Sequence, residues 1–87
     1  MDITLLGRKI PVEYCSQLRL DVLTSSQGAL GYFDGDMIYI LQSMPEDKQE
    51  RVLRHEKAHA ILSITGLTNL LEDNLEEAIC DAMEGLV

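Results

Sequence analysis

The first half of the chain carries short apolar runs broken by turn residues, a pattern typical of β-strands. I-T-L-L and I-P-V-E-Y-C lie on either side of G-R-K, with Gly7 in the turn. A-L-G-Y-F and M-I-Y-I-L lie on either side of Asp34-Gly35, a dipeptide that supplies the positive φ of a hairpin turn. Between these pairs, L-R-L-D-V-L (18–23) fits either a further strand or one helical turn. We therefore predict two hairpins and leave this segment undecided.

The second half carries helix signals instead. In S-M-P-E, Ser43 is a good N-cap, Pro45 suits the first turn and Glu46 can complete a capping box. The helix that follows is predicted to run to about Thr65, where Gly66 can end it.

A second helix is predicted from about Glu72 to Leu86, after the short loop L-T-N-L-L. Its apolar residues recur at spacings of three and four and form one stripe, made of Leu71, Leu75, Ala78, Ile79, Ala82 and Leu86. Strands followed by helices predict an α+β fold, with a small antiparallel sheet of N-terminal hairpins packed on two C-terminal helices. The 87 residues are expected to form one domain, residues 1–87.

The charge of the chain narrows the classes of partner. The formal net charge is −8, so nucleic acids would be repelled, whereas a metal cation or a basic protein partner is compatible. Two distant cysteines do not form a disulfide framework, and the N-terminus does not resemble a signal peptide, so a cytoplasmic location is expected. No apolar run approaches the length of a membrane span.

The chemistry of the chain centres on H-E-K-A-H. His55 and His59 are four residues apart, so in a helix they share one face and can ligate one zinc ion. Glu56 lies about 100° around the helix, where it can act as a general base on a water. Lys57 departs from the uncharged residues usual at this position, and we expect its ammonium to reach solvent. A motif of three fixed positions also arises by chance, but it uses both histidines of the chain within a predicted helix.

A catalytic zinc needs a third protein ligand, and no further histidine exists. The second helix offers carboxylates and a thiol as candidates: Glu72, Asp73, Glu76, Glu77 and Cys80. Amphipathicity alone favours Glu76, which lies closer to the apolar stripe than Glu77. If this helix begins at residue 74, Glu77 would instead be the last residue of a capping box. A lone helical cysteine is more often a small core residue than a ligand.

The order H-E-K-A-H and then E-A-I-C-D resembles the gluzincins, a class of zinc metallopeptidases. The resemblance implies that Glu77 is the third zinc ligand and that Asp81 hydrogen-bonds the far nitrogen of a ligating histidine. It further implies peptide-bond hydrolysis, with Glu56 as the base. In size and order the chain is also similar to small phage metallopeptidases, the ImmA/IrrE family and the minigluzincins. The likeness covers about the last forty residues well and the preceding hairpin loosely.

This resemblance implies a peptide or protein substrate, such as a regulatory protein. Two other hypotheses stay open. The chain is alternatively a catalytically weak or inactive metal-binding module for protein interaction, or a plain helical domain without metal. The sequence does not indicate an oligomeric state.

Overall fold

The computed structural model describes residues 1–86 and confirms the α+β class. The strands are β1 (Asp2–Leu5), β2 (Arg8–Cys15), β3 (Gly31–Phe33) and β4 (Ile38–Leu41). The helices are α1 (Gln17–Thr24), α2 (Glu46–Ile64) and α3 (Asp73–Met83), with one 3-10 turn at Leu67–Leu70 between the last two. The four strands form one sheet in the order β1-β2-β4-β3.

Both predicted hairpins are confirmed. β1 and β2 pair antiparallel around a turn in which Leu6 and Gly7 have φ angles of 51° and 79°. β3 and β4 also pair antiparallel, and their loop spans residues 34–37. The Asp34 carboxylate stabilises this loop by accepting hydrogen bonds from the backbone N–H groups of Asp36 and Met37, each at 2.8 Å.

The centre of the sheet differs from the prediction, because β2 and β4 are parallel. A parallel pair needs a long connection, and here it includes the undecided segment, which folds as helix α1. Ser16 is the N-cap of α1, and its Oγ accepts a hydrogen bond from the backbone N–H of Arg19 at 3.2 Å. The sheet is therefore mixed rather than wholly antiparallel.

The sheet has helices on both faces, and β4 is buried on both sides as a result. Ile38 and Ile40 pack in one core cluster with Leu53 of α2. Leu41, on the opposite face of the strand, packs in a second cluster with Leu20 of α1. The long helix α2, which carries both histidines, is thus held against one face of the sheet.

The ends of α2 correct one prediction and support another. Pro45 occupies the N-cap position and no side chain among residues 1–86 caps this end, so the capping box predicted from Ser43 and Glu46 does not form. The proline itself sits at the boundary, which leaves Ser43 two residues outside it. At the other end the helix stops at Ile64, and Gly66 adopts the left-handed conformation expected of a helix-ending glycine, with φ of 80°.

Helix α3 is shorter than predicted and is rotated about its axis. Its buried residue is Cys80, which packs against Ala58 and Leu62 of α2. Of the predicted apolar stripe, Leu71 and Ile79 pack beside this cluster. The other four members are exposed: Leu75, Ala78, Ala82 and Leu86. The face of α3 that includes Glu76 turns inward instead, toward the histidines of α2.

Within residues 1–86, no helix is both long enough and apolar enough to cross a membrane.

Candidate metal centre

The two histidines of α2 lie side by side on consecutive turns, as their spacing predicts. Their ring centroids are 5.0 Å apart and the rings are almost perpendicular, at 72°. The His55 and His59 side chains are only 17% and 16% exposed. Helix α2 therefore presents two largely shielded imidazoles toward α3.

Glu77 of α3 faces both imidazoles. One of its oxygens, Oε2, lies 3.2 Å from His55 Nε2, and the other, Oε1, lies 2.9 Å from His59 Nε2. One ligand atom from each of the three residues lies within 4.8 Å of the others. His55, His59 and Glu77 are thus placed where they could hold one metal ion.

The far nitrogens of the imidazoles have carboxylate partners of their own. His55 Nδ1 lies 2.9 Å from Glu84 Oε1 and 3.3 Å from Asp81 Oδ1. His59 Nδ1 lies 2.7 Å from Glu76 Oε2. A carboxylate at Nδ1 favours the proton on that nitrogen, which leaves the Nε2 lone pair free for a metal and makes it more basic. Both rings therefore present Nε2 toward Glu77.

The roles of the α3 carboxylates are clearer in the structure than in the sequence. Glu76, which amphipathicity favoured as a ligand, lies on the Nδ1 side of His59 instead. Asp81 lies near His55 Nδ1, where the resemblance placed it, but Glu84 is closer. Glu84 was not among the site residues predicted from the sequence. The available signal was spacing, because Glu77, Asp81 and Glu84 are four and three residues apart and so share one face of α3.

A second group of side chains, His55, Asp81 and Glu84, also meets the distance criterion for holding a metal. It shares His55 with the first group and uses the Nδ1 side of the ring. Glu84 also faces a cation of the protein, since Arg51 Nε lies 3.6 Å from Glu84 Oε2. Asp81 and Glu84 are therefore well placed to orient His55.

The electrostatics of this cluster favour a cation. Burial alone would lower the pKa of His55, but a hydrogen bond to Glu84 and the charges of Glu56, Glu77 and Asp81 raise it overall. The excess of carboxylates over cationic groups thus stabilises positive charge at the histidines. A divalent metal ion held by His55, His59 and Glu77 would supply such charge.

Glu56 is buried on α2 beside the sheet and is 8% exposed. Burial raises the pKa of the Glu56 carboxyl, and the charges of the two histidines partly offset this rise. β3 passes close by: a Cβ built on Gly31 would lie 3.3 Å from Glu56 Cγ and 2.6 Å from Val52 Cγ1. A residue without a side chain is therefore needed at position 31 for the edge strand to approach α2 this closely.

An open groove of about 940 Å³ runs over the cluster. Its lining includes the β3 edge and the following turn (residues 31–35), both histidines, Glu56 and Glu77. In the part of the chain that the structure describes, β3 pairs with β4 alone, so it is an edge strand of the sheet. The groove thus brings an unpaired strand edge and the carboxylate–histidine cluster into one space.

The remaining sequence candidates lie outside this cluster or are unsuited to metal. Cys80 is fully buried, and burial together with Glu76 and Glu77 raises the pKa of its thiol to about 12. A thiol that stays protonated is a poor ligand, and Cys80 serves as a core residue. Glu72 and Asp73 are exposed at the start of α3 and belong to neither metal-competent group within residues 1–86. Lys57 is half-buried.

Comparison with protein-family models, with curated proteins and with solved structures found no match to this chain. The resemblance to the gluzincins therefore rests on the two motifs themselves.

Proposed function

We propose that the protein is a zinc-dependent metallopeptidase in which His55, His59 and Glu77 hold the metal. The observation that carries this proposal is the convergence of two Nε2 atoms on one carboxylate, while each Nδ1 contacts a carboxylate of its own. Two imidazoles and one carboxylate are a ligand set that suits catalytic zinc, which keeps a fourth position for water or substrate.

Zinc, when bound, supplies Lewis-acid polarisation of a carbonyl and makes water a better nucleophile. Glu56 follows His55 directly and lines the same groove. Its carboxylate would accept the proton of the attacking water and pass it to the leaving amine. Glu76 and Glu84 would hold the imidazole rings in place during these steps, through their contacts at Nδ1.

The shape of the groove favours an extended peptide as substrate. β3 offers a free strand edge beside the histidines, and an extended segment can pair with such an edge through backbone hydrogen bonds. The groove is partly open to solvent, so a flexible segment of a protein would enter it more readily than a folded one. By the resemblance to the ImmA/IrrE family, a regulatory protein is the candidate substrate, and this step is analogy alone.

The test separates metal binding from catalysis. The wild type should purify with stoichiometric zinc and cleave members of a peptide library, and His59→Ala should lose the metal. Glu56→Gln should keep zinc but lose cleavage by about 100-fold or more, since general-base catalysis contributes about 10²–10⁴-fold. Glu50→Gln is the matched control, because Glu50 is an exposed glutamate on the same helix. Cleavage that survives Glu56→Gln would remove Glu56 from the mechanism.

A second function, a metal-stabilised protein-interaction module, is favoured by one observation: the apolar stripe on the outside of α3. Zinc binding without cleavage of any peptide in the library would support this module over the enzyme.

A further inference from the structure

The outer face of α3 carries an apolar stripe that no other part of the described chain covers. We call it the outer stripe and define it as Leu75, Ala78, Ala82 and Leu86. Leu75 and Leu86 are 50% and 83% exposed, and Leu70, just before the helix, is 80% exposed. Leu75, Ala78 and Ala82 lie at spacings that place them on one side of α3, and Leu86 follows three residues after the end of the helix. Such an apolar surface on a small domain is typical of an interaction site.

The charges around the outer stripe indicate what kind of partner fits it. Residues 67–86 contain six acidic residues and no Lys, Arg or His, and three of the six, Glu76, Glu77 and Glu84, face the histidines rather than the stripe. Glu72 lies three residues before Leu75, and Asp81 lies three residues after Ala78, so carboxylates lie beside the stripe at both positions. A second copy of this chain would bring the same acidic rim against it, which disfavours self-association. A partner with basic residues around an apolar face would be attracted instead.

We propose that the outer stripe docks an amphipathic helix of another protein, with an apolar face flanked by Lys and Arg. Two alanines in the middle of the stripe leave room for the backbone of a docked helix to approach closely. Leu75 and Leu86 would flank them as the larger contacts. In this helix-in-groove type of recognition, apolar residues at spacings of three and four along the docked helix make the contacts.

Docking at this surface would also act on the metal centre. α3 carries Glu77 and Glu76, and Glu84 is its C-cap, yet Cys80 is the only buried residue of α3 among those described. A helix packed this lightly is stabilised when its second face is covered. The docked partner should therefore hold the carboxylates in place and raise metal affinity, and metal should raise partner affinity by the same factor. This coupling rests on the proposed metal site, whereas docking itself does not.

The probe is a synthetic amphipathic helix with a Leu and Ala face flanked by Lys, and calorimetric titration into the intact chain measures its binding. The same peptide with Glu in place of Lys, and a scrambled peptide, are the controls. Leu75→Gln and Ala82→Gln, which add no charge, should each weaken binding of the Lys peptide about tenfold, as loss of a well-packed apolar contact does. The double variant Leu18→Gln/Val22→Gln is the matched control, because those residues are 76% and 71% exposed on α1. It should bind like the wild type.

Equal binding by the stripe variants and the wild type would overturn the docking site, and so would equal binding of the Glu peptide. Sedimentation of the free chain provides an independent check. A dimer that Leu75→Gln dissociates would assign the outer stripe to a second copy and overturn the choice of partner.

Zinc titration with and without the Lys peptide tests the coupling. We expect zinc affinity to rise several-fold with the peptide bound. Unchanged zinc affinity would refute the coupling and leave the docking site standing. A chain that binds the peptide but no zinc would refute the proposed metal centre alone.

Discussion

The identity of the third ligand can be decided by single carboxylate removals on α3. Glu77→Ala should weaken zinc binding most, because it deletes the carboxylate that faces both Nε2 atoms, at 3.2 and 2.9 Å. Glu76→Ala and Glu84→Ala should have smaller effects of about 10–100-fold, as is usual for partners that only orient a ligand. Asp81→Ala should have the least effect, since Glu84 lies closer than Asp81 to the same nitrogen.

The size of the expected effect can be worked out for stability. At a fixed free zinc concentration well above the dissociation constant, a 100-fold loss of affinity removes about 2.7 kcal/mol of ligand-derived stability. In a domain of this length, each kcal/mol moves the melting temperature by about 4–8 °C. Glu77→Ala should therefore lower the melting temperature of the zinc-loaded protein by about 10 °C or more. With zinc removed by a chelator, this variant and the wild type should melt much closer together.

Competition titration with a zinc-binding dye, combined with thermal melts, measures both quantities. Asp73→Ala is the matched control, because it removes an exposed carboxylate from the same helix without touching the histidines. If Glu76→Ala is the damaging change and Glu77→Ala is mild, zinc is bound through a different carboxylate, and the geometry described above does not represent the metal-bound state. If no removal changes zinc affinity, the metal binds elsewhere.

Three further predictions address the fold around the site. Removal of metal by a chelator should lower the melting temperature of the wild type and speed amide hydrogen exchange in α3 more than in β4. If the chelator changes exchange equally in both elements, metal does not hold α3 in place. Gly31→Ala should destabilise the protein by about 1–3 kcal/mol in urea melts, since its Cβ would lie 2.6 Å from Val52 Cγ1, whereas Gly85→Ala has open space and should be near neutral. Although burial alone would raise the pKa of Asp34, hydrogen bonds from backbone N–H groups and from the Tyr39 hydroxyl lower it. The Asp34 carboxylate therefore stabilises the fold above its unfolded pKa of about 3.9, and this stabilisation is lost as the pH falls through the pKa of the folded state. Asp34→Asn should be destabilising at pH 7 but close to wild type near pH 2. A stability difference that stays constant across that pH range would contradict this prediction.

Much of the fold follows from local sequence signals. Gly7 and the pair Asp34-Gly35 predict the hairpin turns because few other residues adopt positive φ without strain. The parallel pairing of β2 and β4 could not be predicted in the same way, because it depends on where α1 leads the chain. L-R-L-D-V-L alternates apolar and polar residues over its first five positions, as a strand would, and is too short for this pattern to exclude the helix that forms. The segment I-Y-I-L, apolar at every position, was the one available indication that β4 has a helix on each face.

At the candidate site, the residues of α2 were predictable and those of α3 only partly so. The spacing of His55 and His59 places both rings on one face whatever surrounds them. The assignment of Glu77 came from a motif register, while helix phase favoured Glu76. The structure brings both to the histidines, on opposite sides of the His59 ring. The sequence did not indicate that Glu76 and Glu77 contact the two different nitrogens of the His59 ring.

The rotation of α3 shows why amphipathicity was a poor guide to the face that this helix buries. Burying the apolar stripe would have turned the acidic face of α3, with Glu77 and Asp81, toward solvent. Instead α3 buries Cys80 and sets its carboxylates against two imidazoles, leaving four apolar residues exposed. Leaving apolar surface exposed loses about 25 cal/mol per Å² of stabilisation, so other interactions must stabilise this orientation of α3. Carboxylates gathered around two histidines repel one another unless positive charge lies among them. A bound cation on one side of α3 and a covering partner on the other would each stabilise the same orientation. The candidate metal centre and the outer stripe therefore both follow from the way α3 is rotated about its axis.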